Sequence, residues 1–336
     1  MPQHFDPALV NGPFGDPALY VDLVFERRAL LFDLGDLSPL AARKLLRISD
    51  VFVTHRHMDH FAGFDHLLRY LIGREKAVRI YGSPGLIDAV EHKLRAYTWN
   101  LVEGYEGNLV FDAKEIDSDG RLTSAQFSGR NQFARAAKES GKCKDGLLLE
   151  EPGLQVRAAF IDHGGPALAF ALEERAQINI WRNKVEAMGL AIGPWLRFFK
   201  EAVLRGAPDS SPIGVAWRTP AADKPSALPL GLLKKEIMKA TSGRKIAYAV
   251  DCSYTQANIE QVTRLARGAD VLFIEAAFLD TDAVIAKERR HLTARQAGTI
   301  ARLAGAKRIV TLHHSPRYRS RGDELAREAQ EAFLGS

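Results

Sequence analysis

Residues 54–60 read Thr-His-Arg-His-Met-Asp-His and follow at once on the apolar run Val51-Phe52-Val53. Few folds can carry His55, His57, Asp59 and His60 so close to the end of a buried strand unless the strand ends in a metal site. Side chains alternate along a strand. His55 and His57 can therefore converge on one point, with Asp59 and His60 beside it as the chain turns into a helix. Two adjacent metal ions are the natural occupants. The spacing of Phe64, Leu67 and Leu68 predicts the helix over residues 61–70. A solvated His-rich loop requires neither the strand before the motif nor the helical spacing after it.

The rest of the chain carries α/β texture. Residues 19–24 and 29–34 predict paired strands, with 26–28 in the turn. A helix is expected over 39–46, a strand over 78–81 and a helix over 84–97. Residues 102–151 read as edge strands joined by loops; the basic part from Arg130 to Lys144 is either a solvated loop or a phosphate-contacting face. Strands follow at 156–161 and 167–172, then helical patches at 183–188 and 195–203. Prolines at 208, 212, 220, 225 and 229 predict a loop or arm outside the core. Regular texture returns with strands at 245–250, 270–274 and 308–312, helices at 255–266 and 293–303, and a terminal helix at 323–333. A single domain over residues 1–336 is expected, with a substrate-facing insertion or arm around 173–240.

With 336 residues and 46% hydrophobic content, the chain can bury a proper core. Its net charge of +5 suits an anionic substrate without by itself implying nucleic acid. Only Cys143 and Cys252 are present, which argues against a disulfide framework and a cysteine zinc cluster, and makes a reducing cytoplasm the expected compartment. No basic segment leads into an apolar one at the start, and no apolar stretch reaches bilayer length. A soluble, unexported protein without a membrane partner is the expectation.

Three later positions repeat the opening pattern of an apolar strand followed by a ligand-type residue: His163 after residues 158–161, Asp251 after 246–250 and His313 after 309–312. Together they complete two metal spheres. At this point the chain resembles the metallo-β-lactamase superfamily, and within it the ribonuclease Z branch. The resemblance is carried by Leu31-Phe32-Asp33-Leu34-Gly35, Ile80-Tyr81-Gly82-Ser83-Pro84-Gly85-Leu86 and the tail, where His291-Leu292-Thr293 precedes Leu312-His313-His314-Ser315-Pro316-Arg317-Tyr318. It implies a four-layer αββα sandwich of two mixed sheets flanked by helices. It also implies that His55, His57 and His163 hold one zinc, that Asp59, His60 and His313 hold the other, and that Asp251 bridges them. Manganese or iron would suit the same nitrogen and carboxylate donors. Asp33 has a supporting role near the site in the family.

The chemistry implied is a hydroxide shared by two metal ions attacking a phosphodiester, as in tRNA 3′-end endonucleases. Asp59 would orient that nucleophile. The resemblance points to Glu275, with His291 as its partner, for protonating the leaving oxygen; a structural ion pair is the alternative for Glu275. RNA, plausibly precursor tRNA, is the implied partner, and a homodimer is common in the family. A small-molecule hydrolase for cyclic nucleotides, lactones or other esters is the competing reading, because one fold hosts many substrates. A non-catalytic metal sensor is the third. Trp181, Arg182, Lys184, Trp195, Arg197 and Lys200 make the arm basic and aromatic enough to touch RNA, and equally suit a lid over a small pocket.

Overall fold

A computed structural model describes residues 5–24, 26–137, 141–174, 177–219, 224–241 and 243–335. Lys138 in the basic stretch and Pro220 in the proline-rich arm lie outside the described residues. By its internal contacts the chain divides into two compact units, residues 1–173 with 244–336, and residues 174–243.

The larger unit is built on two facing sheets. In the first, Phe5–Leu9, Leu19–Leu23, Arg28–Phe32, Ile48–Phe52, Lys76–Gly82, Leu109–Ile116, Arg121–Ser128 and Arg135–Ala137 lie side by side in that order, with Gly141–Lys142 also against Arg121–Ser128. Its middle pairings, from Arg28–Phe32 to Leu109–Ile116, are parallel. The second sheet runs Leu147–Glu150, Leu154–Asp162, Pro166–Glu174, Lys245–Ala249, Val271–Glu275 and Ile309–Leu312. Alternation sorts each strand between two cores. Leu30, Phe32 and Phe52 meet Leu168, Phe170 and Tyr248 between the sheets, while Ala29, Leu31 and Val51 pack under the helices Phe64–Leu71 and Leu86–Arg95. On the far side Ala247, Leu272 and Ile274 pack under Gln256–Leu265, Ala294–Leu303 and Gly322–Leu334. The result is the expected αββα sandwich. Phe52 stacks on Tyr81 at 4.9 Å and meets Phe170 across the sheets at 5.6 Å, the offset and tilted geometries that aromatic quadrupoles prefer.

A cluster of charged groups joins the two sheets at Asp50 and Glu151. Asp50, fully buried, accepts from Arg79 Nε at 2.5 Å and Arg28 Nη2 at 3.3 Å; Glu151 accepts from the same two guanidiniums at 2.7 and 2.8 Å. Burial pushes the Glu151 carboxyl up, but the two arginines outweigh it and hold it below the ordinary value. A depressed carboxyl contributes stability above its unfolded pKa of about 4.3 and loses it as pH falls through the folded value. Asp50→Ala takes the fully buried carboxylate from two part-buried cations, leaving Arg79 with Glu151 alone and Arg28 with Glu151 and the exposed Glu26. It is expected to cost about 2–4 kcal/mol, read as a lower urea midpoint at pH 7.

The smaller unit has its own core. Val185, Leu190, Trp195, Phe199, Leu230, Leu233 and Ile237 pack together from the helices Arg182–Ala187, Trp195–Leu204 and Leu230–Ile237. Two short antiparallel strand pairs accompany them, Gln177–Ile180 with Met238–Thr241 and Pro212–Gly214 with Ala227–Pro229. The proline-rich segment therefore differs from a plain loop, because Ile213 is buried in this core. Pro212 and Pro229 sit opposite one another on a two-stranded ribbon. Such an edge tolerates proline, since its outward N–H positions need no partner. Among the described residues no helix is long and apolar enough to cross a membrane.

Candidate metal centre

The carboxyl ends of six strands in the larger unit supply the centre. Asp33 follows Arg28–Phe32, His55 follows Ile48–Phe52, His163 follows Leu154–Asp162, Asp251 follows Lys245–Ala249, Glu275 closes Val271–Glu275 and His313 follows Ile309–Leu312. Asp33, Asp251 and His313 have φ of 61°, 52° and 55°. L-residues adopt this left-handed conformation rarely and retain it mostly at functional sites. The helix expected at 61–70 is divided into a turn at Met58–Phe61 and a helix at Phe64–Leu71. Gly63 explains the break: a Cβ there would stand 2.1 Å from the Gly35 carbonyl oxygen, so the chain crosses Leu34-Gly35 at a distance only glycine permits. That crossing, with Leu34 N–H donating to His60 O, anchors the turn that carries Asp59 and His60.

All seven residues expected as ligands meet here, in a first group of His55, His57, His163 and Asp251, a second of Asp59, His60 and His313, and a third of Asp251, Glu275, His291 and His313 that shares Asp251 with the first and His313 with the second. Around Asp251 Oδ2 stand His55 Nε2 at 3.2 Å, His163 Nε2 at 3.3 Å and His57 Nδ1 at 3.8 Å. Metal–ligand bonds of roughly 2.0–2.1 Å in a tetrahedron put ligand atoms about 3.3 Å apart, close to these spacings. In the second group Asp59 Oδ2 lies 3.5 Å from His60 Nε2 and 3.3 Å from His313 Nε2. Asp251 joins the groups, its Oδ2 3.5 Å from His60 Nε2 and its Oδ1 2.8 Å from His313 Nδ1. Among the described residues His55 Nε2 and His60 Nε2 are buried without a hydrogen-bond partner. Interiors rarely leave such atoms orphaned. Converging imidazole lone pairs and carboxylate oxygens fit a divalent metal.

The remaining ring nitrogens are held from behind. His60 Nδ1 pairs with Asp33 Oδ2 at 2.9 Å, His163 Nδ1 with the Arg290 carbonyl oxygen at 2.8 Å, and His55 Nδ1 with Thr54 Oγ1 at 3.1 Å. Each contact leaves Nε2 aimed into the cluster, the usual way a protein orients an imidazole ligand. Asp33 is itself clamped by the Thr54 N–H and hydroxyl and by the Tyr248 hydroxyl at 2.7–3.0 Å. Asp33→Ala is expected to weaken metal binding about 10- to 100-fold in a chelator competition, with the fold retained.

The electrostatics favour a cation. Burial pulls the His60 imidazole down, yet Asp33 and Asp251 outweigh it and push it up to about 10. His313 is raised well above its usual value against the same burial, chiefly by Asp251. Burial would lift Asp59, but hydrogen bonding and charge from His313 and His60 hold it at about 2. A divalent ion competes with protons for these lone pairs, so metal affinity must fall on acidification.

Glu275 and His291 form a hydrogen-bonded pair against the cluster, with Glu275 Oε2 3.6 Å from His313 Nδ1 and His291 Nδ1 3.8 Å from Asp251 Oδ1. His291 Nδ1 donates to Glu275 Oε2 at 2.8 Å, and Glu275 Oε1 accepts from the Cys252 and Leu292 N–H groups. Glu275 has no exposed surface, whereas His291 is 19% exposed. Burial lowers the His291 imidazole, and Glu275 more than compensates, raising it. Sequence reasoning did not single out Tyr248 or the Arg290 carbonyl. Neither carries a motif; only the packing of the sheets brings them to the centre. His314 is buried, its Nε2 3.0 Å from Thr311 Oγ1 and its ring edge-on to Phe14. Two clefts open on the cluster. One of about 350 Å³ is lined by His55, Arg56, His57, Ser83 and His163; the other, of about 250 Å³, by Asp59, Arg289, His291, His313 and Ser315.

The family model described as a beta-lactamase superfamily domain matches residues 19–172 and 217–314. A ribonuclease Z of Deinococcus radiodurans is 30% identical over 97% of this chain and 95% of its own length. The chain belongs to the ribonuclease Z family within that superfamily. As a member it is a metal-dependent hydrolase. It is also similar to a ribonuclease BN of Proteus mirabilis, at 27% identity over 90% of this chain and 84% of that one. The short form of human tRNase Z shares the fold, with a TM-score of 0.51 and 20% identity over 94% of this chain and 92% of that chain.

Proposed function

We propose that this protein is a two-zinc endoribonuclease that cuts a phosphodiester bond in RNA, with precursor tRNA as the foremost substrate and the cytoplasm as its compartment. The observation that carries the reading is the Glu275–His291 pair standing beside a cluster with donors for two metal ions. A phosphodiester with a ribose leaving group needs a proton at the departing oxygen, and a partly exposed imidazole held by a buried carboxylate suits that task. Names of near full-length relatives support the substrate class.

His55, His57 and His163 would hold one ion, Asp59, His60 and His313 the other, and Asp251 both. Ions bound there activate water and neutralise charge on the attacked phosphate. Asp59, held ionised and 40% exposed, accepts a hydrogen bond from the attacking water and orients it. His291 supplies the proton to the leaving oxygen. Glu275 is a positioning residue, since it reaches the substrate only through His291. Asp33, through His60, fixes the ring that faces the cluster. The smaller unit presents Trp181, 41% exposed, with Lys239 5.0 Å above its ring, and Lys224 4.8 Å above Trp217. Aromatic faces backed by ammonium groups suit a phosphate backbone and unstacked bases, which supports an RNA-gripping role for residues 174–243.

The test is cleavage of a precursor tRNA by the metal-loaded protein, beside a cyclic nucleotide and bis(p-nitrophenyl) phosphate. Cleavage at the 3′ side, with affinity falling steeply as salt rises, is expected. Turnover of the cyclic nucleotide with no cut in the tRNA would favour a small-molecule phosphodiesterase instead.

A further inference from the structure

The cleft on the His55, His57 and His163 side contains a cation that this mechanism does not use. Arg56 lines it together with Ser83 and the Gly164 to Ala167 turn. Its guanidinium is held rather than adrift: Nη2–H donates to the Pro84 carbonyl oxygen at 3.1 Å. It also lies flat on Gly85, whose φ is +90° and where a Cβ would come within 2.7–2.8 Å of Nη1, Nη2 and Cζ. Only glycine provides that platform. Guanidinium has five N–H donors, and among the described residues no carboxylate pairs with Arg56. Arg79, by contrast, bridges two carboxylates, and Arg28 pairs with three. Arg56 is thus a positioned, uncompensated fork beside the centre.

We infer that Arg56 is a specificity-determining residue that binds the phosphate next to the scissile one on a polynucleotide strand. The inference rests on the phosphodiesterase reading. A planar fork matches two phosphate oxygens, which a single ammonium or hydroxyl cannot do. Polarity follows from the clefts. His291 lines the opposite cleft with Asp59 and His313, so the leaving oxygen departs there. The strand segment on the Arg56 side is the one that retains the cleaved phosphoryl group. Buried Ser83, on the same wall, offers a second polar contact to that segment.

The experiment is calorimetric binding of uridine 3′,5′-bisphosphate, and of each uridine monophosphate, to the metal-loaded protein and to its Arg56→Gln and Arg56→Met variants. Metal content is measured on every sample. The wild type is expected to bind the bisphosphate at least tenfold more tightly than either monophosphate, and both variants to bring that ratio near one. A wild-type ratio near one overturns the inference, as does a tenfold ratio that persists in a metal-loaded variant. An intact ratio without tRNA cleavage overturns the RNA reading alone; cleavage with a ratio indifferent to Arg56 overturns only the subsite.

Discussion

Asp251→Ala is expected to deprive the centre of its metal as well as its activity. Asp251 is the single residue that touches both ligand groups, its Oδ2 within 3.2–3.8 Å of His55, His57, His60 and His163 and its Oδ1 2.8 Å from His313. Its side chain is 2% exposed, at a strand end with φ of 52°. Removing it would take a candidate ligand and a negative charge from the cluster. Metal content measured by elemental analysis should fall to a minor fraction of the wild-type value. Hydrolysis of bis(p-nitrophenyl) phosphate should drop by about three orders of magnitude or more. Full metal content with activity within tenfold of the wild type would rule out Asp251 as the bridge.

The second large effect separates chemistry from binding. His291→Ala should lower kcat on RNA by about 10²- to 10⁴-fold, the range that a positioned general acid supplies. On bis(p-nitrophenyl) phosphate, whose leaving group departs without a proton, the loss should stay below about tenfold. Glu275→Gln should show the same selectivity with a smaller amplitude. The amide keeps a hydrogen bond to His291 but not the charge that favours its protonated form. Equal losses on both substrates would contradict the acid role and leave His291 as a structural or metal-binding residue.

The sequence showed the centre unevenly. His55 to His60 could be read locally because one strand and one turn carry all four side chains. His163, Asp251 and His313 could be read only by their repeated position after apolar strands. Glu275 and His291 were visible as a pair, but which of them faces substrate was not. The structure shows that Glu275 is the buried member and His291 the partly exposed one, with the Cys252 and Leu292 N–H groups donating to the carboxylate. The helix expected over 61–70 is present from Phe64 to Leu71, and its later start sits beside a contact no periodicity contains, the approach of Gly63 to Gly35. Ile213 was hidden among prolines, which signal irregular backbone but say nothing of a lone apolar side chain reaching a core of its own.

By itself the sequence determined the ligand types, their placement at strand ends and hence the metal-dependent chemistry of the opening motif. These follow from alternation along a strand and from the donor chemistry of histidine and aspartate, both local properties. Only the tertiary structure decided that Asp251 stands between the two groups, that Asp33, itself held by Tyr248, holds His60 from behind, and that Arg56 lies on Gly85 with no carboxylate partner among the described residues. Those facts depend on distances between segments up to 254 residues apart, as with Asp59 and His313. Such distances are set by how two sheets pack face to face, and no local pattern encodes them.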